Sequence, residues 1–330
     1  MPKYTFLTGA TGFVGAAVAR FLISKGHRLL VLSRPNSDQR NLRGLDVEFV
    51  VGDVTRPETY IDALMMCSGL FHVAGDYRLW VPDAEAMRRV NILGTHELML
   101  AALSAGIERI VYTSSVATLG VNTGDTPVTE RKPLIFGEML GVYKQSKFLA
   151  EKEVSRLIQY ENLPAVIVNP TCPLGPGDIK PTPTGRIILE AVKGRIPAYV
   201  NTGLNIVHVE DVAAGHWLAF EYGKIGERYI LGGENLALSE ILAIVEKICG
   251  TPAPRIKLSC EAIYPVALCM EIAAHLTGGE PQITLAALRM ARHKLYFSSF
   301  KAEQELGYKP RPAKLAIADA IAWFQSENYL

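Results

Sequence analysis

The chain has 330 residues, of which 34 are Lys or Arg and 33 are Asp or Glu. This near balance gives no net field that would attract nucleic acid or an anionic membrane to the chain as a whole. Hydrophobic residues make up 49% of the sequence and charged residues 20%, which excludes intrinsic disorder and allows one large or two ordinary domains.

Apolar strand-like runs alternate with helical patterns through the first half of the chain. The predicted helices cover residues 13–25, 58–66, 82–105 and 141–159. The predicted strands lie at residues 4–7, 29–32, 47–51, 70–73, 110–113 and 165–168. Continuous apolar strands, each followed by a helix, are typical of a parallel sheet that is covered on both faces. We therefore predict an α/β fold with a doubly wound, Rossmann-type parallel sheet.

The sequence changes in character after Pro170. Proline and glycine cluster over residues 173–185, a long connection of the kind that forms binding loops. Helical patterns follow at residues 184–193, 212–221, 238–249, 261–276 and 313–325, with only brief strands between them. We predict a Rossmann domain over residues 1–172 and a smaller, mostly helical substrate-binding domain over residues 173–330. Segments within 205–232, including a strand at Arg228–Leu231, are expected to return to the first domain.

A glycine-rich turn lies between the first predicted strand and the first predicted helix. Its spacing is G-x-x-G-x-x-G rather than the G-x-G-x-x-G of the plain dinucleotide fingerprint. At such a turn, backbone N–H groups and the helix dipole favour a pyrophosphate. The alternative is a purely structural turn. We predict that the cofactor is bound by Thr8, Gly9, Thr11, Gly12, Phe13, Val14 and Gly15.

Tyr143 and Lys147 are four residues apart in a predicted helix, so they share one face. A nearby ammonium favours the charged form of a tyrosine and is expected to lower its pKa toward the working range of an acid–base catalyst. The preceding strand ends in Thr113-Ser114-Ser115, at the edge where open α/β sheets bind ligands. These residues predict a catalytic site. The alternative makes the serines strand-end caps and Tyr143 a half-buried helix residue.

The order of these motifs resembles the extended short-chain dehydrogenase/reductase superfamily, in its NAD-dependent epimerase/dehydratase group. The matching segments are TGATGFVG at 8–15, GDV at 52–54, HVAG at 72–75, TSS at 113–115, YKQSK at 143–147, NP at 169–170 and HVEDVA at 208–213. Longer stretches such as HVAGDYRLW and DIKPTPTGR resemble bacterial hopanoid-associated sugar epimerases, a group often labelled dihydroflavonol-4-reductase-like. The resemblance implies a setting in hopanoid lipid biosynthesis more firmly than it implies a reaction.

The resemblance also implies roles for individual residues. Ser115 resembles the catalytic serine, Tyr143 the general acid–base, and Lys147 the lysine that holds the nicotinamide ribose and tunes the tyrosine. Asp53 resembles the residue that accepts the adenine amino group, with a Gly-Asp turn as the alternative. Asn91 resembles a helix asparagine that supports the active-site network, with helix capping as the alternative. Further cofactor contacts are expected from Val54, Ala74, Gly75, Thr113, Ser114, Asn169 and Pro170.

The residues after the second strand bear on the choice of cofactor. NAD-preferring members of the family place an acidic residue there, whereas this chain has Ser33 and Arg34. No carboxylate would repel a 2′-phosphate, and the guanidinium of Arg34 offers a bidentate donor to one. We therefore expect NADP, with NAD as the other possibility. A solvated loop arginine is the alternative interpretation of Arg34.

Contacts to the substrate are expected from residues after the fourth strand and from the proline-rich connection. Arg186 or Lys180 is expected to bind a phosphate or a carboxylate, and Trp80 with Tyr199 to form an apolar wall. Solvated loop charges are the alternative for both cations. The predicted substrate residues are Tyr77, Arg78, Trp80, Lys180, Thr184, Arg186 and Tyr199.

Other features of the sequence bear on metals and on location. The seven histidines are scattered, so no metal site is predicted. The five cysteines show no C-x-x-C spacing and are expected to be reduced, in a cytoplasmic protein without a signal peptide. Residues 262–276 are apolar but too short to span a membrane, and they contain Pro265 and Glu271. A homodimer is left open, and nucleic acid is not expected as a partner.

Three functions compete. The first is an NADPH-dependent reductase that acts at a carbonyl carbon through the Ser115, Tyr143 and Lys147 trio. The second is a nucleotide-sugar epimerase or dehydratase, in which the same trio oxidises a carbinol transiently and the cofactor returns to its starting state. The third is a non-catalytic sensor of NADP(H), which the presence of Tyr143 disfavours.

Overall fold

The computed structural model describes residues 3–78, 80–81, 83–122, 124–134, 139, 141–277, 279, 281 and 283–330. Thirteen strands are described in these ranges. They are β1 Tyr4–Thr8, β2 Leu29–Ser33, β3 Glu48–Val51, β4 Cys67–His72, β5 Arg109–Thr113, β6 Ala165–Pro170, β7 Cys172–Leu174, β8 Ala198–Val200, β9 Gly203–His208, β10 Arg228–Leu231, β11 Glu234–Ala237, β12 Ile256–Leu258 and β13 Lys294–Leu295.

Twelve α-helices are described in the same ranges. They are α1 Phe13–Ser24, α2 Ile61–Leu64, α3 Ala84–Arg88, α4 Gly94–Ser104, α5 Val142–Glu161, α6 Pro183–Val192, α7 Val209–Tyr222, α8 Leu238–Cys249, α9 Cys260–Thr277, α10 Leu285–Met290, α11 Phe300–Leu306 and α12 Ala313–Ser326.

Seven parallel strands form the central sheet, in the order β10-β6-β5-β4-β1-β2-β3. The predicted doubly wound parallel sheet is thereby confirmed. The chain order reverses beside β1, which pairs with β2 on one side and with β4 on the other. Such a reversal opens a crevice at the carboxyl ends of the strands, where open α/β sheets bind ligands. The strand predicted at Arg228–Leu231 is β10, which lies against β6 at one edge of this sheet.

Helices cover both faces of the sheet. Alternate residues of each strand point to opposite sides, so strands that are apolar throughout need packing partners on both faces. Phe71 and Val111 pack with residues of α1 and α7 in one buried cluster. Their neighbours Leu70 and Ile110 pack with residues of α4 and α5 in another. Both faces of β4 and β5 are therefore buried, which explains why their sequences are continuously apolar.

The second half of the chain adds a smaller unit at the carboxyl edge of the sheet. Strand β7 leaves the main sheet and pairs with β9, which also pairs with β11 and β13. Strands β8 and β12 form a separate pair. Residues of α6, α8 and α12 surround a third buried cluster. Most of this unit is helical, as its sequence predicts.

Two predicted helices are interrupted. The pattern over 82–105 is divided by a π-helical turn at Arg89–Leu93, which lies between α3 and α4; Pro82 itself lies outside the described residues. The buried side chain of Asn91 bonds to other elements from this turn, and π turns often accompany such inward polar contacts. The pattern over 58–66 is divided at Tyr60, whose backbone leaves the helical region between a 3₁₀ turn and α2.

Candidate active site

The glycine turn after β1 is shaped by close backbone approaches. Gly9 has a φ of +76°, and a Cβ there would lie 2.5 Å from the backbone nitrogen of Ala74. A Cβ on Gly15 would lie 2.0 Å from the carbonyl oxygen of Gly9. Gly9 therefore lets the turn contact the segment after β4, and Gly15 lets α1 pack directly on the turn.

The amino end of α1 offers hydrogen-bond donors to a ligand. Gly12 is its N-cap residue, and no side chain of a described residue caps the helix or places an acid in its first turn. The first N–H groups and the positive end of the helix dipole therefore remain for an anion, which fits the pyrophosphate of a dinucleotide. Phe13 is buried and Val14 packs against the same core, so only their backbones are suited to that contact.

Thr8 and Thr11 hold different positions in this turn. Thr8 is buried, and its Oγ1 lies 2.7 Å from His72 Nδ1 and accepts a bond from the backbone N–H of Ala74. The side chain of Thr8 thus fixes β1 to the end of β4. Burial, and then the charge of Lys147, lower the pKa of His72 to about 3, so this histidine is neutral. Thr11 is half-buried at the turn.

Ser33 and Arg34 follow the second strand as predicted. Ser33 is buried at the end of β2, whereas Arg34 is exposed and forms no salt bridge with any residue that the structure describes. Burial raises the pKa of Asp53, whereas its bonds to Thr55 and then the charges of Arg34 and Arg56 lower it. The guanidinium of Arg34 is therefore within electrostatic reach of Asp53 and open to solvent.

Asp53 shapes its own turn as well. Its Oδ1 accepts bonds from the backbone N–H of Thr55 at 2.8 Å and from the Thr55 hydroxyl at 2.7 Å. Burial raises the pKa of Asp53, but these bonds and the cations outweigh it, so the pKa lies below its ordinary value. The carboxylate is ionised at neutral pH. Val54 beside it is buried against Gly94.

Tyr143 and Ser115 meet where β5 ends and α5 begins. Both are half-buried. Burial raises the pKa of Tyr143, and a hydrogen bond from Ser115 partly offsets that rise. The pKa therefore lies above its ordinary value, whereas the sequence predicted a lower one. That prediction was wrong for the protein without ligands, because loss of water around the phenol outweighs the favourable contacts.

The Lys147 ammonium is buried beneath the same edge. It donates a 3.0 Å bond to the carbonyl oxygen of Thr113, at the end of β5. Burial lowers the pKa of Lys147 to about 8, and the charge of Glu151 opposes this shift. A Cβ built on Gly75 would lie 3.0 Å from Lys147 Nζ. Since Gly9 contacts Ala74, residues 74–75 connect the glycine turn to the lysine.

Asn91 links the π turn to the start of α5. Its Nδ2 donates to Ser146 Oγ at 2.9 Å and to the carbonyl oxygen of Asp76, and its Oδ1 accepts from the N–H of Asp76 at 2.7 Å. Ser146 in turn donates to the carbonyl oxygen of Tyr143. These bonds tie the loop after β4 to the turn of helix that holds Tyr143. Helix capping does not describe the contacts of Asn91.

The sequence analysis missed Glu151, which is buried one turn beyond Lys147 on α5. Its Oε2 accepts bonds from Ser114, from Thr118 at 2.8 Å and from Asn169 at 2.9 Å. Its Oε1 pairs with Arg228 of β10 at 3.1 Å. The sequence does contain a signal for Glu151. Tyr143, Lys147 and Glu151 follow one another at intervals of four, so they share one face of the helix.

Asn169, at the end of β6, belongs to this network. It also donates to the carbonyl oxygen of Ser115 at 2.9 Å, while its Oδ1 is buried without a partner among the described residues. Thr118 donates to the same Ser115 carbonyl at 2.8 Å. The side chains of Asn169 and Thr118 therefore fix the backbone of Ser115. Pro170 ends β6 and is buried.

The predicted substrate residues do not form one cluster. The hydroxyl of Tyr77 lies 3.4 Å from the carbonyl oxygen of Lys180. Hydrogen bonds from Arg40 lower the pKa of Asp38 to about 2, and the charge of Lys180 adds to this effect, so the Lys180 ammonium is within electrostatic reach of the segment after β2. Arg78 pairs with Asp76. Trp80 is half-buried, Arg186 is exposed, and Tyr199 packs against the third buried cluster.

Thr184 acts on Cys172, at the start of β7, for which the sequence analysis predicted only a reduced thiol. Burial raises the pKa of the Cys172 thiol to about 11, and the hydroxyl of Thr184 opposes this rise. Cys172 also acts on the pKa of Tyr143. Cys172 and Thr184 therefore lie on the side of the site that a substrate would enter from the second half of the chain.

Among the residues that the structure describes, no three His, Cys, Asp or Glu side chains group in a way that would hold a metal ion. No described helix is both long enough and apolar enough to cross a membrane. All five cysteines are free.

Comparison with known proteins adds to this geometry. The profile of the NAD dependent epimerase/dehydratase family matches residues 5–232. A protein of Synechocystis sp. named as a dihydroflavonol 4-reductase is 44% identical, with 98% of this chain and 95% of that protein covered. The sterol demethylase protein B of Methylococcus capsulatus is 32% identical, with 99% of each covered. The crystal structure of gox2253 is 54% identical, with a TM-score of 0.90 and 100% of both chains covered.

Proposed function

We propose that this chain, which belongs to the NAD dependent epimerase/dehydratase family, reduces a carbonyl group with NADPH. Membership makes it an NAD(P)-dependent oxidoreductase or epimerase. One observation supports the finer proposal: at the carboxyl edge of the sheet Ser115 acts on the pKa of Tyr143, and the Lys147 ammonium is buried beside Gly75. An acid, a second donor and a fixed cation would then be available beside the glycine turn.

The protonation state of Tyr143 suits a reduction. A bound nicotinamide would supply the hydride that the carbonyl carbon accepts. Because its pKa lies above the ordinary value, Tyr143 holds its proton at neutral pH and donates it to the carbonyl oxygen. Ser115 donates a hydrogen bond to that oxygen as negative charge develops on it. The product is an alcohol, and the phenolate left on Tyr143 is the charge that Lys147 stabilises.

The residues around the trio hold it in place. Glu151, Asn169 and Thr118 fix the backbone that presents Ser115. Asn91 fixes the helical turn that presents Tyr143 through Ser146. Such preorganisation lowers the cost of reorienting donors during the reaction.

The exposed guanidinium of Arg34 supports NADP as the cofactor. It stands at the end of β2, next to Asp53, and forms no salt bridge with a described residue. A planar fork of donors matches a 2′-phosphate in two contacts. Asp53 Oδ2 makes no hydrogen bond to a described residue and is available for the adenine amino group.

A lipid-like carbonyl compound is the substrate class that we favour. The names of two relatives, a dihydroflavonol 4-reductase and a sterol demethylase protein, both refer to compounds with several rings. Both names support a carbonyl group on a multi-ring skeleton, and a role in hopanoid metabolism is part of this proposal. A sugar or lipid-linked polyol remains the substrate of the rival function.

The rival is an epimerase or dehydratase, which the name of the family supports. It differs in the fate of the cofactor, because transient oxidation returns the cofactor to its starting state. The deciding experiment mixes the purified protein with NADPH and a panel of cyclic ketones and nucleotide sugars. Net loss of NADPH absorbance with formation of an alcohol supports the reductase. Conversion of a sugar without net change in cofactor contradicts it.

A further inference from the structure

Helix α9 carries a continuous apolar stripe that faces solvent. Tyr264, Leu268, Ile272 and Leu276 follow at intervals of four, so they share one face of the helix. Their exposed fractions are 37%, 40%, 51% and 83%. A surface helix normally turns its large apolar residues toward the core. Here the buried residues are the small Ala267 and Ala274, and the large residues point outward.

The exposed face of α9 has almost no charge to solvate it. Between residues 262 and 277 the sequence contains one acidic residue, Glu271, and no Lys or Arg. Glu271 accepts a 2.7 Å bond from the backbone N–H of Leu285, so its carboxylate is engaged at the start of α10. Exposed apolar surface of this extent marks a binding surface.

Strand β12, just before α9, extends the apolar surface. Ile256 is 61% exposed and Leu258 is 37% exposed. Basic side chains accompany these residues: Arg255 and Lys257 are exposed and form no salt bridge with a described residue. Arg289 on α10 is also exposed and forms no salt bridge with a described residue. Arg292 pairs with Glu261 at the start of α9.

We propose that this surface, formed by β12 and α9 with its flanking cations, docks on the face of an anionic lipid bilayer. Apolar side chains that enter the acyl boundary, with arginine and lysine at the headgroups, are the features of helices that lie in a membrane interface. A second copy of the chain fits less well, because self-pairing of this face would bring its own cations together. The near-neutral charge of the whole chain does not oppose docking, since the cations are local.

The geometry indicates a helix that lies on the bilayer rather than across it. The stripe from Tyr264 to Leu276 spans about 18 Å, at about 1.5 Å for each residue of an α-helix. The hydrocarbon core of a bilayer is about 30 Å thick.

Helix α10 connects the docking surface to the candidate active site. A Cβ built on Gly141 would lie 3.7 Å from the Cβ of Ala286, so α10 stands against the start of α5, two residues before Tyr143. Helix α10 packs on α9. Docking would therefore bring Tyr143 near the surface of the bilayer, where an apolar substrate partitions. This second step rests on the proposed function, whereas docking itself does not.

The test is flotation of the full chain with vesicles of phosphatidylcholine alone or mixed equally with phosphatidylglycerol. We expect binding to the mixed vesicles that weakens when salt is raised from about 0.1 M to about 1 M, because the electrostatic part is then screened. The variant L268S/I272S should lose at least about tenfold in partitioning, as expected for two lost apolar contacts. The control Ile225→Ser changes a side chain that is 54% exposed elsewhere on the surface and should bind like the wild type.

Several outcomes would overturn docking. These are failure of the wild type to float with either vesicle, or equal flotation of L268S/I272S and the wild type. Self-association that disappears in L268S/I272S, without vesicle binding, would assign the face to a second copy. Thermal unfolding and NADPH binding of L268S/I272S check that the variant is folded. Vesicle binding by a protein that consumes no NADPH would contradict the proposed reductase and leave docking intact.

Discussion

Gly75 lies directly against the Lys147 ammonium, and a Cβ on Gly75 would stand 3.0 Å from Nζ and 3.4 Å from Asn91 Oδ1. We expect Gly75→Ala to displace the ammonium and to weaken NADPH binding about tenfold, or about 1.4 kcal/mol. Fluorescence titration of NADPH measures this change. Gly279→Ala is the control, since a Cβ there meets only the Thr277 hydroxyl at 3.4 Å. An unchanged NADPH affinity in Gly75→Ala would contradict a role for Lys147 in cofactor binding.

Replacing Tyr143 with Phe keeps the ring and removes the proton donor. We expect turnover to fall by about 10²–10⁴-fold while NADPH affinity changes little. Steady-state kinetics and a cofactor titration on the same preparation separate the two effects. Tyr160→Phe is the matched control, because Tyr160 lies on the same helix and is 67% exposed. Full activity of Tyr143→Phe would contradict the assignment of the acid.

Lys147→Met should lower both NADPH affinity and turnover, and it also tests the burial of the ammonium. Burial lowers the pKa of Lys147 from 10.5 to about 8. Between these values the unfolded chain binds the proton and the native protein does not, so the unfolding free energy of the wild type rises with pH. Relative to Lys147→Met it should rise by about 2–3 kcal/mol between about pH 8 and pH 10.5. Denaturant titrations across that range give the difference. A flat difference would mean that the ammonium is solvated.

Glu151→Gln tests the network behind Ser115. The amide keeps the shape of the side chain but cannot pair with Arg228 or accept all of the bonds at Oε2. We expect a loss of about 1–3 kcal/mol in unfolding free energy, since buried donors lose an acceptor. We also expect lower kcat with little change in NADPH affinity, because the loop of Ser115 loosens. Glu161→Gln, an exposed change on the same helix, is the control. Loss of stability with unchanged kcat would make Glu151 purely structural.

Arg34 and Ser33 decide the cofactor in the proposed function. Arg34→Ala should weaken NADPH binding by about 1.5–3 kcal/mol, as for a hydrogen bond to a charged group, and leave NADH binding nearly unchanged. Ser33→Asp should reverse the preference by adding a ribose acceptor and a charge that repels the 2′-phosphate. Paired titrations of both cofactors on both variants test this, with exposed Arg43→Ala as the control. Equal losses for the two cofactors in Arg34→Ala would leave Arg34 as a loop residue only.

The fold was predictable because its signals are local. The five inner strands of the sheet, β1, β2, β4, β5 and β6, are apolar runs buried on both faces. The glycine turn is recognised by its order between a strand and a helix. The spacing of Tyr143 and Lys147 identified the candidate site for the same reason. Long-range contacts were not predictable. In the sequence Glu151 is one more charged residue on a polar helix. Its partners, Ser114, Asn169 and Arg228, lie in or next to three different strands that come together only in the folded protein.

The rise in the pKa of Tyr143 is also a long-range property. The sequence shows the ammonium four residues away, but it does not show how much water the folded chain removes from the phenol. The π turn at Arg89–Leu93 has the same origin, since the contacts of Asn91 lie in other elements. A short stretch of sequence can therefore identify Tyr143 and Asn91 as candidate site residues. The pKa of Tyr143 and the hydrogen bonds of Asn91 depend on segments that meet only after folding.

The ion pair between Glu151 and Arg228 has a consequence for biosynthesis. Glu151 is made early, whereas its cation lies 77 residues later, on the strand that completes the sheet. A nascent chain in which β10 has not yet left the ribosome would have to keep this carboxylate hydrated or neutral, because the paired cation of Arg228 is still missing. The glycine turn can form while the chain is still growing, but the candidate active site becomes stable only when a late segment arrives.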